Sequence, residues 1–149
     1  MTALKPDNSE LSTSAARLRM AITRVARRLR QQASGDLTPT SAAALATVER
    51  HGPLTPSELA EIERVKRPTA TRTLHCLAEM GLVDRTPDPT DGRSALVTST
   101  AEGRERLRRL RGRKNAYLAR RMREMPEDDV RTLERAAEIL ERMLEGEHG

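Results

Sequence analysis

Leu11, Ala15, Leu18, Ile22, Val25 and Leu29 recur in alternating steps of four and three, the seam of a helix that packs on other helices. Arg17, Arg19, Arg24, Arg27, Arg28 and Arg30 stand off that seam and read as a solvated face. The helix should end near Ala33-Ser34-Gly35. Thr38-Pro39 opens a second helix, with a cap followed by proline, and Ala42, Leu45, Ala46 and Val48 supply its buried side before Gly52-Pro53. Several start signals then coincide: Thr55 caps, Glu58 follows three residues later, and Leu54 can staple onto Leu59. They predict a short third helix from Pro56 to about Glu63. A fourth begins at Pro68 with Arg67 in the cap position, buries Ala70, Leu74, Leu77 and Met80, and stops at Gly81 in a left-handed conformation.

Two extended runs follow, Leu82 to Thr86 and Ala95 to Ser99, around a Pro/Asp/Gly turn from Pro87 to Arg93 in which Asp91-Gly92 suits a tight reversal. Thr100-Ala-Glu caps a fifth helix with Leu107, Leu110, Tyr117, Leu118 and Met122, interrupted by Gly112. Pro126 restarts a sixth, with Val130, Leu133, Ala137, Leu140 and Leu144 on one side. The expected class is mainly α with a small β-hairpin wing (α+β). A helix with one apolar and one polar side and a β-hairpin directly behind it is the layout of a winged helix-turn-helix. The polar side of the fourth helix carries Lys66, Arg67, Thr69, Arg72 and Thr73, placed with Pro68 to meet the edges of base pairs. Arg favours the O6/N7 edge of guanine, and threonine methyls can meet thymine methyls. Ser57 and the free amides opening the third helix are candidates for a phosphate contact.

The run Gly81-Leu82-Val83 with Arg85, then Asp88, Asp91-Gly92-Arg93, Val97, Thr100 and Gly103, resembles the signature of MarR-type transcriptional regulators, roughly GLVxR followed by DxxDxRxxxVxLTxxG. Ser99 departs from it where the family usually has Leu, which thins the packing under the wing without touching its charged tip. The resemblance implies that Arg93 is the wing-tip residue entering the minor groove, oriented by a carboxylate pair with Asp91. For Arg85 a structural part, holding its strand to the turn acids, outweighs DNA contact. It implies one MarR-like domain over residues 1–149, with a winged lobe at 38–99 and dimerisation helices at 9–33 and 100–145. The partners it implies are double-stranded DNA, a second copy of the chain and a small, often aromatic or anionic, effector. Leu18, Ile22, Ala42 and Leu45 are candidates to line an effector crevice, and each reads equally well as plain core. The implied activity is repression from a roughly palindromic site. The rival is a winged-helix protein-interaction module without specific DNA binding, against which Arg72 and Arg93 argue.

Composition changes this picture in a few places. The net charge of +5 fits a polyanion partner, but it is unevenly spread. Thr55 to Ser99 carries six basic and seven acidic residues, whereas Thr100 to Arg123 carries ten against two and Glu124 to Gly149 three against nine. Bulk charge therefore does not mark the reading lobe; an acidic sixth helix could instead complement basic first and fifth helices in a dimer. With one Tyr and no Phe or Trp, the core must be aliphatic, and stacking on single-stranded bases is not expected. A single cysteine rules out an internal disulfide framework, and Cys76, between Leu74 and Leu77, reads as semi-buried filler. Adjacent His75 and Cys76 diverge by about 100° on a helix and cannot clamp one metal. His51, His75 and His148 sit apart, no nucleophile-base or carboxylate pair has recognisable spacing, and no glycine loop cradles phosphate. No enzyme activity, metal or cofactor is expected. Met1 to Ser9 is polar and no apolar run approaches membrane-spanning length, so the cytoplasm is the expected compartment.

Overall fold

The computed structural model describes residues 5–33, 35 and 37–148. Its elements are α1 (Asn8–Gln32), α2 (Pro39–His51), α3 (Pro56–Glu63), α4 (Arg67–Glu79), β1 (Val83–Pro87), β2 (Ala95–Ser99), α5 (Ala101–Arg123) and α6 (Glu127–Glu145), closed by a short 3-10 turn, Gly146–His148. They fall into two compact units, residues 1–114 and 115–149. Of the expected stop Ala33-Ser34-Gly35, Ser34 lies outside the described residues; Ala33 is the C-cap of α1.

The first unit holds the core. Leu45 and Val48 of α2, Leu59 of α3, Leu74 and Leu77 of α4, and Leu54, Leu82 and Val97 around the hairpin are all essentially inaccessible to solvent. Caps start the helices where their oxygens meet otherwise unpaired amides. Thr38 Oγ1 accepts from the Ser41 N–H at 3.1 Å, and Thr55 Oγ1 from the Glu58 N–H at 3.2 Å. Asp7 and Glu10 form a reciprocal capping box at the head of α1, a start signal that the apolar seam alone does not give.

β1 and β2 pair antiparallel, from Val83 opposite Ser99 to Pro87 opposite Ala95. Leu54 adds a further rung, its N–H donating to the Val97 carbonyl at 3.1 Å and its carbonyl accepting from the Val97 N–H at 2.8 Å. The root of the hairpin is pinned by Thr100. Its hydroxyl donates to the Gly81 carbonyl at 2.7 Å and accepts from the Gly103 N–H at 3.0 Å. Gly81 takes φ 75°, the left-handed stop its position requires. Gly103 allows α5 to approach the hairpin backbone, since a Cβ there would lie 2.2 Å from the Leu82 carbonyl oxygen.

Several boundaries shift. The first strand begins at Val83 rather than Leu82, because Leu82 is core and its N–H closes back on the Leu77 carbonyl at 3.0 Å. Pro87 is the last paired residue, so residues 88–94 form a longer loop than an Asp-Gly two-residue reversal, and Gly92 does not adopt positive φ. Gly112 does not interrupt α5; the helix runs through it.

Candidate nucleic-acid interface

The N-terminus of α4 is bare. Lys66 is its N-cap, one residue earlier than the sequence suggests, and offers no side-chain oxygen to the first-turn amides. Those N–H groups and the positive end of the helix dipole therefore face outward, an arrangement that favours anions. Burial of Ala70, Leu74 and Leu77 fixes which side of α4 faces out. On that side Pro68, Thr71, Arg72 and His75 follow one another at helical spacing, and together with Arg67 and Arg85 of β1 they line an open concavity of about 540 Å³. His75 Nε2 sits 3.1 Å from Glu79 Oε1.

The candidate residues divide on this geometry. Lys66, Arg67, Pro68 and Arg72 are exposed. Thr69 and Thr73 are half-buried; the Thr73 hydroxyl donates to the Thr69 carbonyl at 2.9 Å, and Thr73 lines a different cleft, beside Ala70 and Leu59. Thr73 thus leaves the reading face, and Thr71 and His75 take that place. Spacing of three and four from Pro68 identifies both; choosing by residue type passes them over. Cys76 is exposed rather than semi-buried, because one step of about 100° from Leu77 carries it past the edge of the core.

At the wing tip, Asp88 Oδ1 accepts from the Thr90 N–H at 2.9 Å and the Thr90 hydroxyl at 2.8 Å. The Thr90 backbone N–H, followed by that hydroxyl, holds the Asp88 carboxyl below its ordinary value. Asp91 Oδ1 accepts from the backbone N–H of Arg93 at 3.1 Å, and the Asp91 carbonyl from the Ser94 N–H. The expected carboxylate pair with the Arg93 side chain is not formed. Asp91 shapes the loop, and the guanidinium of Arg93 stays in solvent without an ionic partner among the described residues. Ser57 is exposed in the first turn of α3.

The expected crevice residues are not brought together. Leu18 and Ile22 lie exposed on α1, Leu45 is fully buried core, and only Ala42 borders a cleft. That cleft, about 340 Å³, has apolar walls from Ala26, Leu29, Ala46, Leu107 and Leu110, with Arg30, Arg111 and Lys114 at its rim. Arg111 is engaged by Glu49 at 3.3 Å.

Among the described residues no helix is long and apolar enough to cross a membrane. The MarR family model matches residues 37–95, from the loop before α2 to the start of β2. An HTH-type transcriptional regulator of Mycobacterium leprae is 34% identical over 129 residues, covering 86% of this chain and 90% of that protein. One from Mycobacterium tuberculosis is 36% identical over 124 residues, covering 83% and 87%. A Pseudomonas aeruginosa crystal structure, described as that of a transcriptional regulator, shares 32% identity at a TM-score of 0.81, covering 93% of this chain and 98% of its own. Staphylococcus aureus MepR bound to an oligodeoxyribonucleotide has the same fold at 19% identity and a TM-score of 0.66, covering 89% and 96%. These names are those of regulators rather than enzymes. With its winged-helix DNA-binding fold, hairpin motif and relatives in agreement, the chain belongs to the MarR family of transcriptional regulators.

Proposed function

We propose that this regulator binds a pseudo-palindromic duplex site as a homodimer and represses by occupying it, with release by a small effector. The observation that carries the reading is the outer face of α4. Its apolar side is locked into the core, while Arg67, Pro68, Thr71, Arg72 and His75 are held outward beside a wing whose Arg93 has no internal partner. Arg72 reads a base edge in the major groove, Arg93 enters the adjacent minor groove, and Ser57 and the bare start of α4 meet phosphates. MepR, of the same fold, was crystallised with an oligodeoxyribonucleotide.

Dimerisation is supported by two uncovered apolar faces. α1 has no buried residue, and Leu11, Leu18, Ile22 and Val25 are each nearly half exposed. α6 also has none, with Leu133, Ile139, Met143 and Leu144 exposed. A second copy covering both would remove this surface from water and set two α4 helices about one turn of the duplex apart. Residues 9–33 and 100–145 are the dimerisation segments in this reading. The effector is an anion with an apolar body, matched to the Ala- and Leu-walled cleft with Arg30 and Lys114 at its rim.

Selection of bound duplexes from a random pool tests the core of this reading. Wild type enriches a two-fold-related sequence. Arg72→Ala relaxes preference at particular base pairs, and Arg93→Ala weakens binding more uniformly. A pool that never converges would contradict sequence-specific binding and favour the protein-interaction module.

A further inference from the structure

Arg85 is not part of the internal bracing of the wing. It pairs with Val97 across the ladder, and strand alternation therefore puts it on the sheet face of Val83 and Val97, both buried. Asp84 and Thr86 point to the other face. Arg85 lies one pleat farther from the core than Val83, so its side chain emerges at the rim of α4 instead of beneath it. There it lines the concavity with Arg67, Thr71, Arg72 and His75.

The turn acids that could neutralise it are engaged elsewhere. The Asp88 carboxylate holds Thr90, and the Asp91 carboxylate holds the Arg93 amide. The carboxylate nearest in sequence on the α4 rim, Glu79, is 3.1 Å from His75. Arg67, Arg72 and Arg85 are thus brought to one surface with no ion pair among the described residues. Convergent guanidiniums without carboxylates suit a polyanion, and their position specifies which part of it. With α4 in the major groove and the wing tip in the next minor groove, the root of β1 lies over the sugar–phosphate backbone that separates them.

We propose that Arg85 is a phosphate clamp on that intervening backbone, making a charge-assisted contact that sets the register of α4 and the wing without reading sequence. The proposal rests on the DNA-binding reading of α4 and the wing. It departs from the expectation that Arg85 ties its own strand to the turn.

The test is equilibrium binding of the full chain to two duplexes, one recovered by selection and one scrambled, across a salt series. Wild type, Arg85→Ala, Arg85→Lys and Arg72→Ala are compared, with thermal unfolding as the folding control. Arg85→Ala should weaken both duplexes by the same factor, roughly tenfold. The slope of log affinity against log salt should become shallower by about one unit. Arg85→Lys should restore the slope, and Arg72→Ala should reduce the preference for the selected duplex. If wild type binds with a steep salt slope and Arg85→Ala leaves that slope unchanged, the clamp is wrong while the reading of α4 stands. A changed base preference in Arg85→Ala, or a melting temperature lowered in step with affinity, would also overturn it. If wild type shows no salt-sensitive duplex binding, both fall together.

Discussion

The two ends of the wing obey different rules. At its root, Val83, Val97, Leu54 and Leu82 are sealed in the core, and Thr100 ties Gly81 to Gly103 through one hydroxyl. At its tip, residues 88–94 are held by short-range hydrogen bonds to Asp88 and Asp91, and Arg93 projects into solvent. The family motif spans both, so a match to it mixes residues that build the wing with residues that work at its end. Substitutions at the root should cost stability, and those at the tip should cost binding alone.

The largest separation is expected between Gly103→Ala and Gly112→Ala in the same helix. A Cβ at 103 meets the Leu82 carbonyl oxygen at 2.2 Å, whereas at 112 it meets nothing within 4 Å. Denaturant unfolding should show a loss of about 3 kcal/mol for the first and a slight gain for the second. Equal effects would mean that α5 does not rest on the hairpin backbone. Arg93→Ala should next lower duplex affinity roughly tenfold while unfolding free energy stays within about 0.5 kcal/mol of wild type; a large loss of stability would place Arg93 in the structure of the loop. Thr100→Val, which removes the hydroxyl but keeps the shape, should cost about 1 kcal/mol, read in the same denaturation assay. An unchanged midpoint would show that the Gly81 and Gly103 contacts are dispensable.

The smallest effect concerns acid. Because the Thr90 hydrogen bonds lower the folded value of Asp88, the loop gains stability that is present in full above the ordinary carboxylate value of 3.8 and is lost as pH falls through the lower folded value. The Thr90 amide resonance should therefore move only below pH 3.8 in wild type, and that movement should be absent in Asp88→Ala. A midpoint above 3.8 would contradict the assigned hydrogen bonds.

Much of this architecture is written in short-range chemistry, which explains what could be read from the residues. Thr38-Pro39, Thr55 with Glu58, and Gly81 each act within one turn of chain, and each works where the sequence places it. The capping box of Asp7 and Glu10 is equally local, but the apolar seam draws attention past it. The wing loop is less legible because Asp-Gly permits a two-residue turn without requiring one, and the ladder extends to Pro87. Side-chain orientation on α4 depends on where the core seals it, which is a tertiary fact: it turns Thr73 into a cleft and leaves Cys76 in solvent. The effector crevice was the least readable. Leu45 and Ala42 are neighbours along α2, yet one is fully buried and the other borders a cleft, a distinction that depends on what packs around the helix.

The central claim is that geometry, not the density of positive charge, selects the DNA-facing surface. Arg104 to Lys114 is the more basic stretch, yet α4 and the wing are assigned the contact. Amide hydrogen exchange with and without a selected duplex tests this directly. Protection is predicted at residues 66–75 and across 85–93, with little change over 104–114. Protection concentrated on Arg104 to Lys114, with α4 and the wing unaffected, would contradict the account.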